Sequence, residues 1–151
     1  MPKSCPRRPK RSNCMETKLT NDLRIRLIQL ALEARQRAYA RYSNYQVGAA
    51  LVTPSGKVFT GCNVESAAYP TSMCAERVAV FKAVSEGERE FLAIAVVTSN
   101  AGTPCGACRQ VLAEFGLETV VLIADTSGTL KQEAKLSELL PGAFGPGDLG
   151  K

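Results

Sequence analysis

Two short runs constrain the fold most strongly: residues 91–98 (FLAIAVVT) and 119–124 (TVVLIA) are almost unbroken apolar and β-branched sequence. A strand with one wet face alternates polar and apolar residues, whereas a run without alternation reads as a strand buried on both faces. Such strands need cover on two sides, so the chain must bring helices to both faces of a sheet. With 151 residues, 45% apolar and 22% charged, it has the core-forming content of one ordinary domain. A disordered or fibrous chain is excluded.

The remaining elements are read around those two strands. Leu23, Leu27, Leu30, Ala31, Ala34 and Ala38 recur at three- and four-residue steps, predicting an amphipathic helix over 23–40 with Thr20, Asn21 or Asp22 as its cap. Residues 47–53 and 57–65 flank Pro54-Ser55-Gly56 and read as a hairpin. Val78, Val80, Phe81 and Val84 give 74–84 helical spacing, closed by Gly87. A short helix is expected over 106–115, ended by Gly116, and a turn over 125–128. An edge strand near Leu130 and a helical turn over 137–140 then precede a Pro- and Gly-rich terminus, 141–151. The expected fold is α/β: three α/β/α layers around a mixed central sheet of about five strands, with no internal repeat or linker.

A formal charge of +5 suggests nucleic acid, but its placement argues otherwise. Lys3, Arg7, Arg8, Lys10 and Arg11 stand in a stretch with no acid, and the other fourteen basic residues balance the fourteen acidic ones. A surface that tracks a phosphate backbone needs its cations clustered on the folded part. Residues 1–15 therefore read as a basic, disordered tail and 16–151 as a single domain. The tail is also weakly like an acid-poor transit segment, and Met15-Glu16 offers an internal start. No stretch approaches the ~20 apolar residues of a membrane span, and no hydrophobic run of the kind a secretory signal needs follows the basic residues. A cytoplasmic protein with no membrane or nucleic-acid partner is expected.

The chain contains no histidine, so Ser-His-Asp and Cys-His machinery and imidazole metal ligands are excluded. Cysteine becomes the informative residue. Cys105 and Cys108 lie three apart at the start of a predicted helix, on one face. Alone, such a pair can bind zinc, run dithiol redox chemistry or be accidental. Cys74 shifts the balance, because it too opens a helix after a strand and loop, and helix amino ends favour thiolates. Three thiolates with one open position describe a catalytic zinc site, since structural sites close with four ligands. Cys62 is the fourth candidate, but strand alternation turns it away if Asn63 and Glu65 face the site. Glu76, two residues past Cys74, is the best available proton carrier.

Cys74-Ala75-Glu76-Arg77 and Pro104-Cys105-Gly106-Ala107-Cys108-Arg109-Gln110 resemble the two zinc motifs of the small homotetrameric cytidine deaminases. The likeness continues in residues 42–50 (YSNYQVGAA), 61–65 (GCNVE), 139–141 (LLP) and 144–146 (FGP), and covers about residues 20–148. It implies hydrolytic deamination of cytidine and 2′-deoxycytidine, one zinc ion per chain on Cys74, Cys105 and Cys108, and Glu76 as proton shuttle. It also implies that Arg77 offsets the sulfur charge, that Asn63 and Glu65 read the sugar hydroxyl, and that the Ala75 N–H meets the pyrimidine carbonyl. Tyr45, where most relatives carry Phe, would stack on the base, and Phe144 would close a neighbouring subunit's pocket in a homotetramer with shared active sites. Three rivals remain: a different cytosine-like aminonucleoside on the same zinc site, a thioredoxin-like redox module using Cys105 and Cys108, and a zinc-stabilised binding protein without turnover.

Overall fold

The structure, a computed structural model, describes residues 16–151; the expected basic tail 1–15 lies outside the described residues. Five strands form one mixed sheet: β1 (Gly48–Val52), β2 (Val58–Cys62), β3 (Ala93–Val97), β4 (Val120–Ala124) and β5 (Leu130–Lys135). Their order is β2-β1-β3-β4-β5, with β3 and β4 parallel and the other neighbours antiparallel. The helices are α1 (Asn21–Arg35), α2 (Ala75–Ser85), α3 (Gly106–Ala113) and the single turn α4 (Leu136–Leu139).

Alternation along β3 divides the core into two. Ala93, Ala95 and Val97 pack with Leu27, Ile28 and Ala31 of α1, while Ile94 and Val96 pack with Ala79, Val80 and Leu112 of α2 and α3. The unalternating apolar run is thus a strand covered on both faces, and the three-layer expectation holds. Thr20 caps α1, its hydroxyl accepting the Leu23 N–H at 3.2 Å.

Some boundaries differ from the sequence reading, each for a tertiary reason. Helix α1 stops at Arg35 instead of running to residue 40, because Tyr39 pairs its backbone with Asn63 and Glu65. The second hairpin strand ends at Cys62, not at residue 65. Beyond it the Asn63 amide bonds the Val47 N–H and the Tyr45 carbonyl, and Val64 pairs with Tyr39 and Met73. Side-chain bonds of this kind compete with the ladder and end it.

The topology places the site. Strands β2 and β3 both run antiparallel to β1, and Gly48 stands opposite Cys62 on one side and Val97 on the other. The carboxyl ends of β2 and β3 therefore lie together, one strand apart. Each feeds a loop and then a helix, α2 or α3, and both helices cover the same face, as expected of β-α-β units of one hand. Their amino ends start at one edge of the sheet, the usual place for a ligand in an open α/β fold. Helix α2 sits hard on β2 at Gly61: a Cβ there would come within 2.4 Å of the Ala75 carbonyl oxygen and 2.7 Å of the Ala79 nitrogen. Among the described residues no helix is long and apolar enough to cross a membrane.

This close approach yields a prediction. Gly61→Ala should destabilise the domain by about 1–3 kcal/mol, as overpacking does, read as a lower urea midpoint. An unchanged midpoint would show that α2 does not depend on the contact.

Candidate zinc centre and adjoining cavity

Cysteine occupies the N-cap of both helices. Cys74 caps α2 and Cys105 caps α3, neither using its sulfur to bond the helix, and Cys108 lies one turn further along α3. Ser, Thr, Asn or Asp at an N-cap contributes ~1 kcal/mol that cysteine does not supply here; the sulfurs point instead at each other. The Sγ atoms of Cys74, Cys105 and Cys108 all lie within 4.8 Å of one another, with Cys74 and Cys105 at 3.8 Å. Tetrahedral zinc–thiolate bonds of ~2.3 Å place neighbouring sulfurs about 3.8 Å apart, so the cluster has the size of a zinc site and is too open for a disulfide.

The electrostatics also suit a cation. The Cys74 thiol is held down at about 5, first by the neighbouring Cys108 thiol and then by Arg77, whose Nη2 donates to the Cys74 sulfur at 3.3 Å. The neighbouring Cys74 and burial push the Cys108 thiol up. The neighbouring sulfurs raise the Arg77 guanidinium further above its ordinary value, and its buried Nε has no acceptor, leaving donor capacity beside the cluster. Among the described residues no further cysteine or carboxylate joins the trio. Cys62 is half-buried and is not in the cluster; because β2 ends at Cys62, the alternation expected to turn it from Asn63 and Glu65 does not extend to those residues.

A cavity of about 490 Å³ opens beside the sulfurs; Cys74, Cys105, Glu76 and Arg77 line it together with Asn63 and Glu65. Glu76 is only 5% exposed, and burial raises its pKa above the usual carboxylate range, with Cys74 adding to the effect. Glu65 accepts the backbone N–H groups of Tyr42 and Ser43 at 2.9 and 3.0 Å and the Ser43 hydroxyl as well. The hydroxyl contact is the main reason the Glu65 carboxyl sits below its ordinary value. Asn63 is buried and donates one amide N–H to the Tyr45 carbonyl at 2.8 Å while accepting the Val47 N–H at 2.9 Å. Each side chain keeps spare capacity beyond these bonds, the carboxylate a lone pair and the amide its second N–H, and both residues line the cavity.

Eight sequence-predicted residues therefore meet at the cluster and its cavity: the three cysteines, Glu76, Arg77, Asn63, Glu65 and Tyr45. Two do not line the cavity. Ala75 is the first residue of α2, buried behind the site, although helix geometry leaves its N–H without an intrahelical acceptor. Phe144 is 58% exposed on a separate groove beside residues 113–117, its carbonyl held by Gln110 Nε2 at 2.8 Å. Sequence reasoning gave no role to Ser43 or to the loop residues Thr98, Asn100 and Gly102. The signal for Ser43 was its position two before Tyr45, whose N–H its Oγ accepts at 3.0 Å in a local serine turn.

Comparison with known proteins agrees with this geometry. Residues 22–124 match the family model described as the cytidine and deoxycytidylate deaminase zinc-binding region. The cytidine deaminase of Halalkalibacterium halodurans is 51% identical over 126 residues, covering 82% of this chain and 95% of that protein. That of Sporosarcina psychrophila is 47% identical over 127 residues, covering 82% and 93%. Among solved structures, cytidine deaminase from Burkholderia pseudomallei superposes with a TM-score of 0.76 at 48% identity, covering 83% of this chain and all of that one. The chain belongs to the zinc-binding cytidine and deoxycytidylate deaminase family. It is a deaminase, and its cofactor is zinc.

The hydrogen bonds to Glu65 generate a prediction. Ser43→Ala removes the largest contact that favours the ionised form, so the Glu65 pKa should rise. A carboxyl-carbon NMR titration reads this directly, and an unmoved titration would contradict the contact.

Proposed function

We propose that the enzyme hydrolyses cytidine and 2′-deoxycytidine to uridine and 2′-deoxyuridine, releasing ammonia. The observation that carries this reading is that a three-sulfur cluster adjoins a cavity lined also by a buried carboxylate, Glu76, and by the Asn63–Glu65 pair. Cys74, Cys105 and Cys108 would hold the zinc ion. Zinc, when bound, supplies Lewis acidity that makes water a nucleophile near neutral pH.

The chain's own groups do the rest. Glu76, walled off from bulk solvent, takes a proton from the attacking water as its oxygen adds to the amine-bearing ring carbon. It delivers that proton to the adjacent ring nitrogen and later moves one to the departing amine, so that water and cytidine become uridine and ammonia. Arg77 donates to the Cys74 sulfur and spreads its charge, offsetting the net −1 that three thiolates and a divalent ion would carry. Asn63 and Glu65 receive the sugar hydroxyl with their remaining donor and acceptor. An ionised Glu65 repels a phosphate at that position by at least ~1 kcal/mol even in watery surroundings, which favours free nucleosides over nucleotides and polynucleotides. The ring of Tyr45 offers the base a flat wall, and the Ala75 N–H at the start of α2 suits the pyrimidine carbonyl.

The cytosine-like aminonucleoside reading would use the same machinery, but the Asn63–Glu65 pair suits an unsubstituted sugar. The redox reading leaves Cys74, Arg77 and Glu76 without a purpose. We further infer a homotetramer in which Phe144, exposed on its own chain, closes a neighbour's cavity; exposed Tyr69, Phe81 and Leu149 supply further apolar contact surface. A cytoplasmic location suits it, because oxidation of any two of the sulfurs would destroy the ligand set.

Glu76→Ala should keep its zinc yet lose at least ~10²-fold in kcat, the usual worth of a positioned proton carrier; ammonia release at the wild-type rate would remove Glu76 from the mechanism. Cys105→Ala should lose metal and activity together, and a fully metallated, active variant would contradict the ligand set. For Glu65→Gln, nucleoside turnover should weaken while discrimination against sugar-phosphorylated forms declines. Unchanged kinetics on every substrate would refute the sugar-reading role.

A further inference from the structure

The aromatic wall of the cavity is fastened at its tip by residues with no part in the reading above. The Tyr45 hydroxyl donates to Asn100 Oδ1 at 2.6 Å, and the Thr98 hydroxyl, itself buried, donates to the same oxygen at 3.3 Å. Thr98 Oγ1 in turn accepts the Gly102 N–H at 2.6 Å, curling the loop back on itself. A Cβ at Gly102 would stand 2.7 Å from the Tyr45 hydroxyl oxygen, so the loop is folded closely over it. Ala101 between them holds a φ of 52°, a left-handed conformation that a non-glycine residue keeps only where its surroundings impose it. Four residues after Ala101 the same loop delivers Cys105.

The other end of Tyr45 is tied by its backbone, to Ser43 through the N–H and to Asn63 through the carbonyl. Between these ties the residue remains 37% exposed. The orientation of a half-exposed ring depends on what holds its tip, and here that is one short hydrogen bond from a phenol to an amide oxygen. A phenylalanine could not make it. Asn100 does not line the cavity, so any influence it has on a ligand passes through the ring.

We infer that Asn100 is a positioning residue for substrate: through the Tyr45 hydroxyl it sets the orientation of the ring against which a flat base lies, and so governs binding more than the chemical step. Preorganising a wall lowers the ordering cost at binding, which appears in KM. The inference rests on the proposed cytidine reading. It concerns an asparagine to which the sequence motifs gave no role.

The test is a double-mutant cycle on the intact enzyme with cytidine. Asn100→Leu should raise KM by about three- to tenfold, the worth of one hydrogen bond, with kcat within about twofold. Asn100→Asp keeps the acceptor oxygen and should recover most of that loss. Tyr45→Phe should raise KM comparably, and adding Asn100→Leu to it should change nothing more. The same cycle read by thermal unfolding should show coupling between the two residues whether or not substrate turns over. Additive KM effects, an Asn100→Asp enzyme as impaired as Asn100→Leu, or a loss confined to kcat would overturn the assignment. A wild-type enzyme that releases no ammonia from cytidine would instead sink the functional reading. Wild-type turnover with a KM indifferent to Asn100→Leu would sink only the role of Asn100.

Discussion

The structure depends on two helices beginning at one place. Because β2 and β3 end side by side across Gly48, α2 and α3 start at the same edge of the sheet, and both expose unsatisfied N–H groups there. Two partial positive charges converge. Thiolates are stable in such a field, and the chain puts cysteine at both cap positions and once more a turn later. The cap bonds that serine or aspartate would have made are given up for a cluster that a divalent ion can hold together. Metal and fold would therefore support one another: an ion held by the three sulfurs would tie α2 to α3, whose starting points the sheet beneath sets.

The Asn63–Glu65 part of the cavity lining is built on another principle. Asn63 and Glu65 spend most of their hydrogen-bonding capacity on their own chain, gripping the loop that carries Ser43 and Tyr45. Those bonds fix their orientation before any ligand arrives and leave one donor and one acceptor unused. A site held this way loses little freedom on binding. In the proposed function, Glu65, whose ionised form these donors favour, would also repel anionic substrates.

Features determined by local chemistry were legible in the sequence. The two unalternating apolar runs became strands covered on both faces, the cysteine spacing became one cluster, and Thr20 became the cap of α1. Features decided by contacts between distant segments were not. Helical periodicity continues past Arg35, but pairing of Tyr39 with residues 63 and 65 ends the helix. The spacing of Asn63 and Glu65 suggested a strand, yet the asparagine amide breaks the ladder it was expected to join. Gly61 looked like an ordinary strand glycine until the backbone of α2 was seen against it. The partner of the Tyr45 hydroxyl lies 55 residues away on another loop, beyond the reach of any local pattern. Phe144 remains exposed on its own chain, so the site role expected from the resemblance would have to be filled on another.

The central claim is that three sulfurs, and no fourth, hold the ion. X-ray absorption at the zinc edge of the purified enzyme measures this directly. The account predicts three sulfur scatterers at ~2.3 Å and one oxygen or nitrogen scatterer near 2.0 Å. A spectrum fitted by four sulfurs would mean a closed structural site and would contradict the proposed chemistry at its root.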